Sequence, residues 1–108
     1  MTDFYNTDSR YPRIAKRQEE WKQTLSPHAV VFDPLDVQAR LGWVVSLGRG
    51  NNKAYLVRED VGEWLFDHTS GCHFVVRSFG PRHLHGLAAA AIFKNDADVV
   101  HFTLRWLR

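Results

Sequence analysis

Residues 68–85 hold the side chains with the greatest capacity for chemistry in this chain. They include four of the six histidines, the single cysteine and two arginines. Imidazole, thiol and guanidinium groups bind metals, transfer protons near neutral pH and hold anions. The segment is therefore the first place to look for a metal site, a catalytic site or an anion site.

A metal site is disfavoured by the spacing of these groups. The residue types are those that zinc prefers, but Cys72 and His73 are adjacent in a predicted strand. Their side chains should therefore point to opposite faces of that strand. The chain also has no Cys-x-x-Cys and no His-Glu-x-x-His motif. We predict no metal site and no cofactor.

An anion site is better supported by the pattern. A predicted strand ends at Phe79, Gly80-Pro81 forms a turn, and a helix is predicted to begin near Arg82. Free backbone amides at a helix start attract anions. The residues predicted to bind an anion, or a charged patch of a partner, are Arg77, Arg82, His83 and His85.

The segment from Arg77 to Arg82 resembles the pyrophosphate-binding turn of GNAT-type acyltransferases. That family carries Arg/Gln-x-x-Gly-x-Gly/Ala between a strand and a helix; Arg77 and Gly80 match, whereas Arg82 stands at the third anchor. The resemblance implies acyl-coenzyme A binding. It supports an alternative function, a small enzyme that binds a phosphorylated ligand at residues 77–85. Proton transfer by His83 or His85 would make that enzyme ribonuclease-like instead.

Nucleophilic catalysis is less well supported. Cys72 would need a nearby histidine to lower its thiol pKa, and a single cysteine in a strand is more often a small buried side chain. We assign no catalytic residue and leave enzymatic activity open, with binding favoured.

The predicted elements that position these residues describe an α+β domain. In chain order they are a helix from Ser9 to about Leu25, a strand at 29–32, a short helix from Pro34 to Gly42, four strands at 42–47, 53–58, 63–67 and 72–79, an alanine-rich helix at 83–94 and a strand at 100–106. This gives a mainly antiparallel sheet of about five or six short strands. We expect one domain over residues 1–108, with 1–8 frayed.

The last two assignments depend on two patterns. Residues 83–94 are apolar nearly all round, which favours a helix buried on two sides. Val100, Phe102, Leu104 and Trp106 alternate with polar residues, which favours a strand with one buried face.

Composition limits the class of protein. The chain is 44% hydrophobic and 24% charged with a net charge of +2, which is typical of a soluble domain. The longest apolar run, Leu87 to Phe93, is too short to cross a membrane. We expect a cytoplasmic protein. Nucleic-acid binding through the helical stripe of Arg10, Arg13 and Arg17 is a third hypothesis that the small net charge disfavours.

The favoured hypothesis is a non-enzymatic protein-binding module that inhibits or regulates a partner by occupying its surface. Small proteins of phages and mobile elements that block bacterial defence are of this kind. Aromatic residues and arginines are the favoured anchors of interfaces. The predicted partner contacts are Tyr11, Trp21, Arg49, Tyr55, Arg58 and Trp64. A second copy of the chain is an alternative partner.

Overall fold

The computed structural model describes residues 10–48, 53–79 and 87–108, with the side chains of the first helix described from Ile14 onward. The α+β fold class predicted from the sequence is confirmed. In chain order the elements are α1 (Arg10–Gln23), β1 (Ala29–Phe32), α2 (Pro34–Leu41), β2 (Gly42–Ser46), β3 (Lys53–Val57), α3 (Glu59–His68), β4 (Cys72–Ser78), β5 (Leu87–Phe93), α4 (Asp96–Phe102) and a π-helical turn (Thr103–Leu107).

A three-stranded antiparallel sheet in the order β1-β5-β4 organises the domain. Its central strand, β5, pairs with β1 on one edge and with β4 on the other. Ala91 lies opposite both Val30 and Phe74, so these three residues share one face.

The main hydrophobic core covers that face of the sheet. Phe93 and Phe102 are buried there with ring centroids 5.2 Å apart. Phe74 packs 6.3 Å from Phe102. Helices α2 and α3 and the C-terminal π-helical turn supply the other buried side chains, which include Val37, Leu41, Val61, Leu65 and Trp106. Burial of this apolar surface is the main stabilising contribution to the fold.

The opposite face of the sheet packs against α1. Ile14 of α1 is buried with Ala88 of β5 and with Phe79, just after β4. Trp21, two turns further along α1, packs against Phe79 with ring centroids 5.5 Å apart. A second, smaller core therefore holds α1 on the sheet.

A separate antiparallel hairpin is formed by β2 and β3. Its inner face contacts the main core through Tyr55, whose ring stacks on Phe74 at 5.2 Å. Gly42 opens β2 at the end of α2 with a φ of 148°, and a Cβ there would overlap the carbonyl oxygen of Leu56. This close approach explains why glycine stands at the junction of helix and hairpin.

The prediction of a strand at 63–67 was wrong, because residues 59–68 form α3. Val61 and Leu65 are buried and lie four residues apart on one face of the helix. Gly62 indicated a turn, but it is exposed within the helix. A five-residue window was too short to separate the two periodicities.

The alanine-rich helix predicted at 83–94 was also wrong over its described part, since 87–93 form β5. Ala88 packs in the smaller core with α1 and Ala91 packs in the main core. By strand alternation Ala90 lies on the face of Ala88 and Ala89 on the face of Ala91, and all four are buried. A strand covered on both faces loses the alternation that identifies strands. Alanine's high helix propensity was overridden by tertiary packing.

The C-terminal strand predicted at 100–106 is likewise a helix. Phe102 and Trp106, four residues apart, are buried, while Val100 and Leu104 are exposed. The alternating pattern thus contained a helical pair at i and i+4. The capping signal lay just upstream: the Asn95 side chain accepts a hydrogen bond from the Asp98 N–H at 2.9 Å.

Replacing Gly42 by alanine should destabilise the fold by about 2–4 kcal/mol, because the added methyl group meets backbone and the φ angle is unfavourable. Gly62→Ala is the matched control, since a Cβ there meets nothing within 4 Å. Helix propensity predicts that the control gains up to about 1 kcal/mol. Denaturant unfolding measures both; equal effects of the two substitutions would contradict the junction described here.

Candidate functional site

The histidine-rich segment does not fold into one site in its described part. The ring of His68, at the end of α3, stacks on Trp64 with centroids 4.8 Å apart. Cys72 packs at the edge of the main core, whereas His73 is exposed on the other face of β4. Residues 10–48, 53–79 and 87–108 contain no group of three or more side chains that could hold a metal ion.

The environment of Cys72 makes its thiol a poor nucleophile. Burial raises the pKa of this thiol from 9.0 to about 12. A hydrogen bond with the backbone of Ile92 acts in the opposite direction, and the charge of Asp98 raises the pKa further. The thiol is therefore protonated at neutral pH. A nucleophilic thiol requires a nearby histidine that lowers its pKa, and none of the groups that influence the Cys72 thiol is a histidine.

Three residues of the predicted anion site, Arg82, His83 and His85, lie outside the described residues. The described element that follows β4 is β5, an antiparallel strand over residues 87–93, and a helix follows that strand. The GNAT resemblance needed the reverse order, an alanine-rich helix and then a strand. The order of the described elements therefore no longer supports it.

Three predicted partner contacts have internal partners. Tyr55 stacks on Phe74 and donates a hydrogen bond to the carbonyl oxygen of Gly42 at 3.3 Å. Arg58 donates to the carbonyl oxygen of Ala39 at 2.6 Å. Trp64 packs edge-to-face on Trp106 at 6.1 Å. The side chain of Tyr11 and all of Arg49 lie outside the described residues.

Trp21 and Arg77, two further predicted site residues, meet beside one groove. The Arg77 guanidinium lies 5.2 Å from the centroid of the Phe79 ring, and Trp21 packs against the same ring. The structure thus brings together one aromatic and one cationic residue that the sequence indicated separately.

The outer face of the β2–β3 hairpin carries exposed apolar side chains that were not predicted from the sequence. Trp43 and Leu56 are directly opposite each other across the hairpin, and Leu47 follows directly after the end of β2. Their exposed fractions are 46%, 58% and 61%. Together with Leu35 of α2, which is also exposed, they form what we call the hairpin face.

A cavity of about 290 Å³ opens at the edge of the hairpin face. Its apolar lining includes Leu35, Trp43 and Leu87, and Lys53 is its one charged lining residue. A cavity of this size accommodates a large apolar side chain. The arrangement therefore combines exposed apolar side chains with an adjacent recess.

A signal for the hairpin face was present in the sequence. Residues 42–47 read Gly-Trp-Val-Val-Ser-Leu, so that the apolar residues Trp43, Val45 and Leu47 alternate with Gly42, Val44 and Ser46. A strand at the surface of a small domain usually has one polar face. An apolar outer face in such a strand indicates that something else covers it.

Comparison with known proteins finds no similarity: no protein-family model, no curated sequence and no solved structure matches this chain. None of the described helices is long and apolar enough to cross a membrane. Function must therefore be argued from the geometry of the chain itself.

Alkylation of Cys72 by iodoacetamide at about pH 8 should be at least about a hundredfold slower in the folded protein than in the unfolded chain, since the raised pKa depletes thiolate. Cys72 is the single cysteine, so mass spectrometry reads this site alone. Comparable rates in the two states would show an exposed, ionisable thiol.

Stability should also fall between about pH 9 and pH 12. Burial raises the pKa of Tyr55 from 10.0 to about 12, as it does for Cys72. Both groups are neutral in the folded state over this range but ionise in the unfolded chain, so their contribution is lost as pH rises. The pH dependence of the free energy of unfolding should be shallower in Tyr55→Phe and Cys72→Ala; a slope unchanged from wild type in both would contradict this.

Proposed function

We propose that this chain is a non-enzymatic protein-binding module that uses the hairpin face to occupy the surface of a partner protein. The observation that carries the proposal is the exposure of Trp43 and Leu56 on one face of a two-stranded sheet, with the exposed Leu47 directly after β2. Exposed aromatic and aliphatic residues grouped in this way are typical of protein interfaces.

The chemistry of the adjacent cavity defines the partner further. Leu35, Trp43 and Leu87 supply an apolar lining, and Lys53 supplies a positive charge. The complementary group is an apolar side chain with a carboxylate beside it. The partner in this proposal is a second protein that presents such a pair, and the module inhibits or regulates it by covering that surface.

An enzymatic function has less support. The Cys72 thiol is kept protonated by burial. The described element that follows β4 is the strand β5, whereas a phosphate site of the acyltransferase type needs a helix. We place the module in the cytoplasm, where a free cysteine such as Cys72 stays reduced.

Replacing Trp43 by the photo-cross-linker p-benzoylphenylalanine should give one stoichiometric adduct with a specific protein in extracts of the native host. Purified partner and wild-type protein should then form a complex. Trp43→Ser and Leu56→Ser should each weaken that complex at least about tenfold, because truncation of a hot-spot residue typically removes about 2 kcal/mol or more of binding free energy. The thermal stability of the two variants should be nearly unchanged.

Phe66→Ser is the matched control. Phe66 is 79% exposed on α3, outside the hairpin face, and its replacement should leave the complex intact. Equal weakening by Phe66→Ser would overturn the assignment of the surface. An adduct with a second copy of the chain, with a dimer in sedimentation that Trp43→Ser dissociates, would overturn the heterologous partner.

A further inference from the structure

A second candidate binding site lies on the other side of the domain, where α1 crosses the end of β4. Six residues line a groove of about 230 Å³: Arg17, Glu20, Trp21, Thr24, Arg77 and Phe79. We call it the α1–β4 groove. It shares no lining residue with the hairpin face or its cavity.

Two guanidinium groups give this groove its chemical character. Among the residues that the structure describes, neither Arg17 nor Arg77 forms an ion pair; the pairs present are Lys22–Glu19, His28–Asp96 and Arg58–Asp60. Arg77 is positioned by the Phe79 ring instead, at 5.2 Å from its centroid. A cation held over a ring keeps its N–H donors available for an acceptor.

The remaining lining residues limit the chemical class of ligand that the groove can bind. Phe79 is buried and Trp21 is half-buried against it, so neither ring offers the open face on which a nucleobase stacks. The Thr24 hydroxyl already donates to the Trp21 carbonyl oxygen at 2.7 Å. Glu20 places a negative charge in the groove, which disfavours a run of phosphates but can accept a backbone N–H.

We infer that the α1–β4 groove binds an acidic peptide segment, with two carboxylates held by Arg17 and Arg77. Guanidinium and carboxylate match in planar, two-pronged geometry. The site is separate from the hairpin face and does not depend on the function proposed above.

The probe is an acetylated and amidated Glu-Ala-Glu-Ala-Glu peptide, with Gln-Ala-Gln-Ala-Gln as the neutral control. In an NMR titration of the folded protein, the Trp21 indole N–H signal should shift and saturate with the acidic peptide, at an affinity at least about tenfold above that of the control. Arg17→Gln and Arg77→Gln should each reduce the affinity about tenfold. Glu20→Gln should increase it, because a like charge is removed.

Arg40→Gln removes an exposed arginine of α2 outside the groove and should leave the affinity unchanged. Trp43→Ser should also leave it unchanged, which separates this site from the hairpin face. A loss with Arg40→Gln equal to that with Arg17→Gln would overturn the site as general charge attraction. Absence of saturation, or tighter binding of a thymidine oligonucleotide or inorganic phosphate than of the acidic peptide, would overturn the ligand class.

Discussion

The central strand β5 must be buried on both faces while it is hydrogen-bonded on both edges. Ala88 allows α1 to approach one face and Ala91 allows the aromatic core to approach the other, while Ala89 and Ala90 between them are fully buried. A larger side chain at any of these positions would displace a layer, because protein interiors are close-packed. Both hydrophobic cores of the domain are therefore built around the small size of four consecutive residues.

Polar contacts at the ends of the elements then fix how the helices join the sheet. The buried carboxylate of Asp98, only 7% exposed, accepts a hydrogen bond from the Ser70 N–H at 3.0 Å. It thereby connects α4 to the segment after α3. Arg58 connects the other end of α3 to α2 through the carbonyl oxygen of Ala39. Such satisfied contacts specify one arrangement of helices where apolar packing alone would allow several.

Local chemistry made half of this fold predictable. Helix α2 followed from the capping residue Asp33, Pro34 at its first position and Gly42 at its end, all of which act within a few residues. Strands β1, β2, β3 and β4 followed from short apolar runs between turn residues. The alanine-rich strand β5 could not be predicted in this way, because tertiary contacts decide whether a strand is buried on both faces. The C-terminal helix could not be predicted either, because its buried i, i+4 pair lies within an alternating pattern that is typical of a strand.

The candidate sites show the same contrast between what local sequence indicates and what tertiary contacts decide. Trp21 and Arg77 were indicated by residue type, but their proximity depends on how α1 crosses β4, which no local pattern encodes. The hairpin face was missed because Tyr55, the predicted partner contact on this hairpin, points inward, whereas Trp43 on the adjoining strand points outward. The residue types therefore indicated that the chain has side chains suited to an interface, but they did not indicate on which surface those side chains lie.

A two-stranded sheet is marginally stable by itself, and in the described residues β2 pairs with no strand other than β3. The hairpin therefore depends on Tyr55 and Val57 at the main core for its order. Local opening of such a segment requires less free energy than unfolding of the whole domain. A molecule bound to the outer face would add to the free energy of that opening, so occupancy and hairpin order are thermodynamically linked.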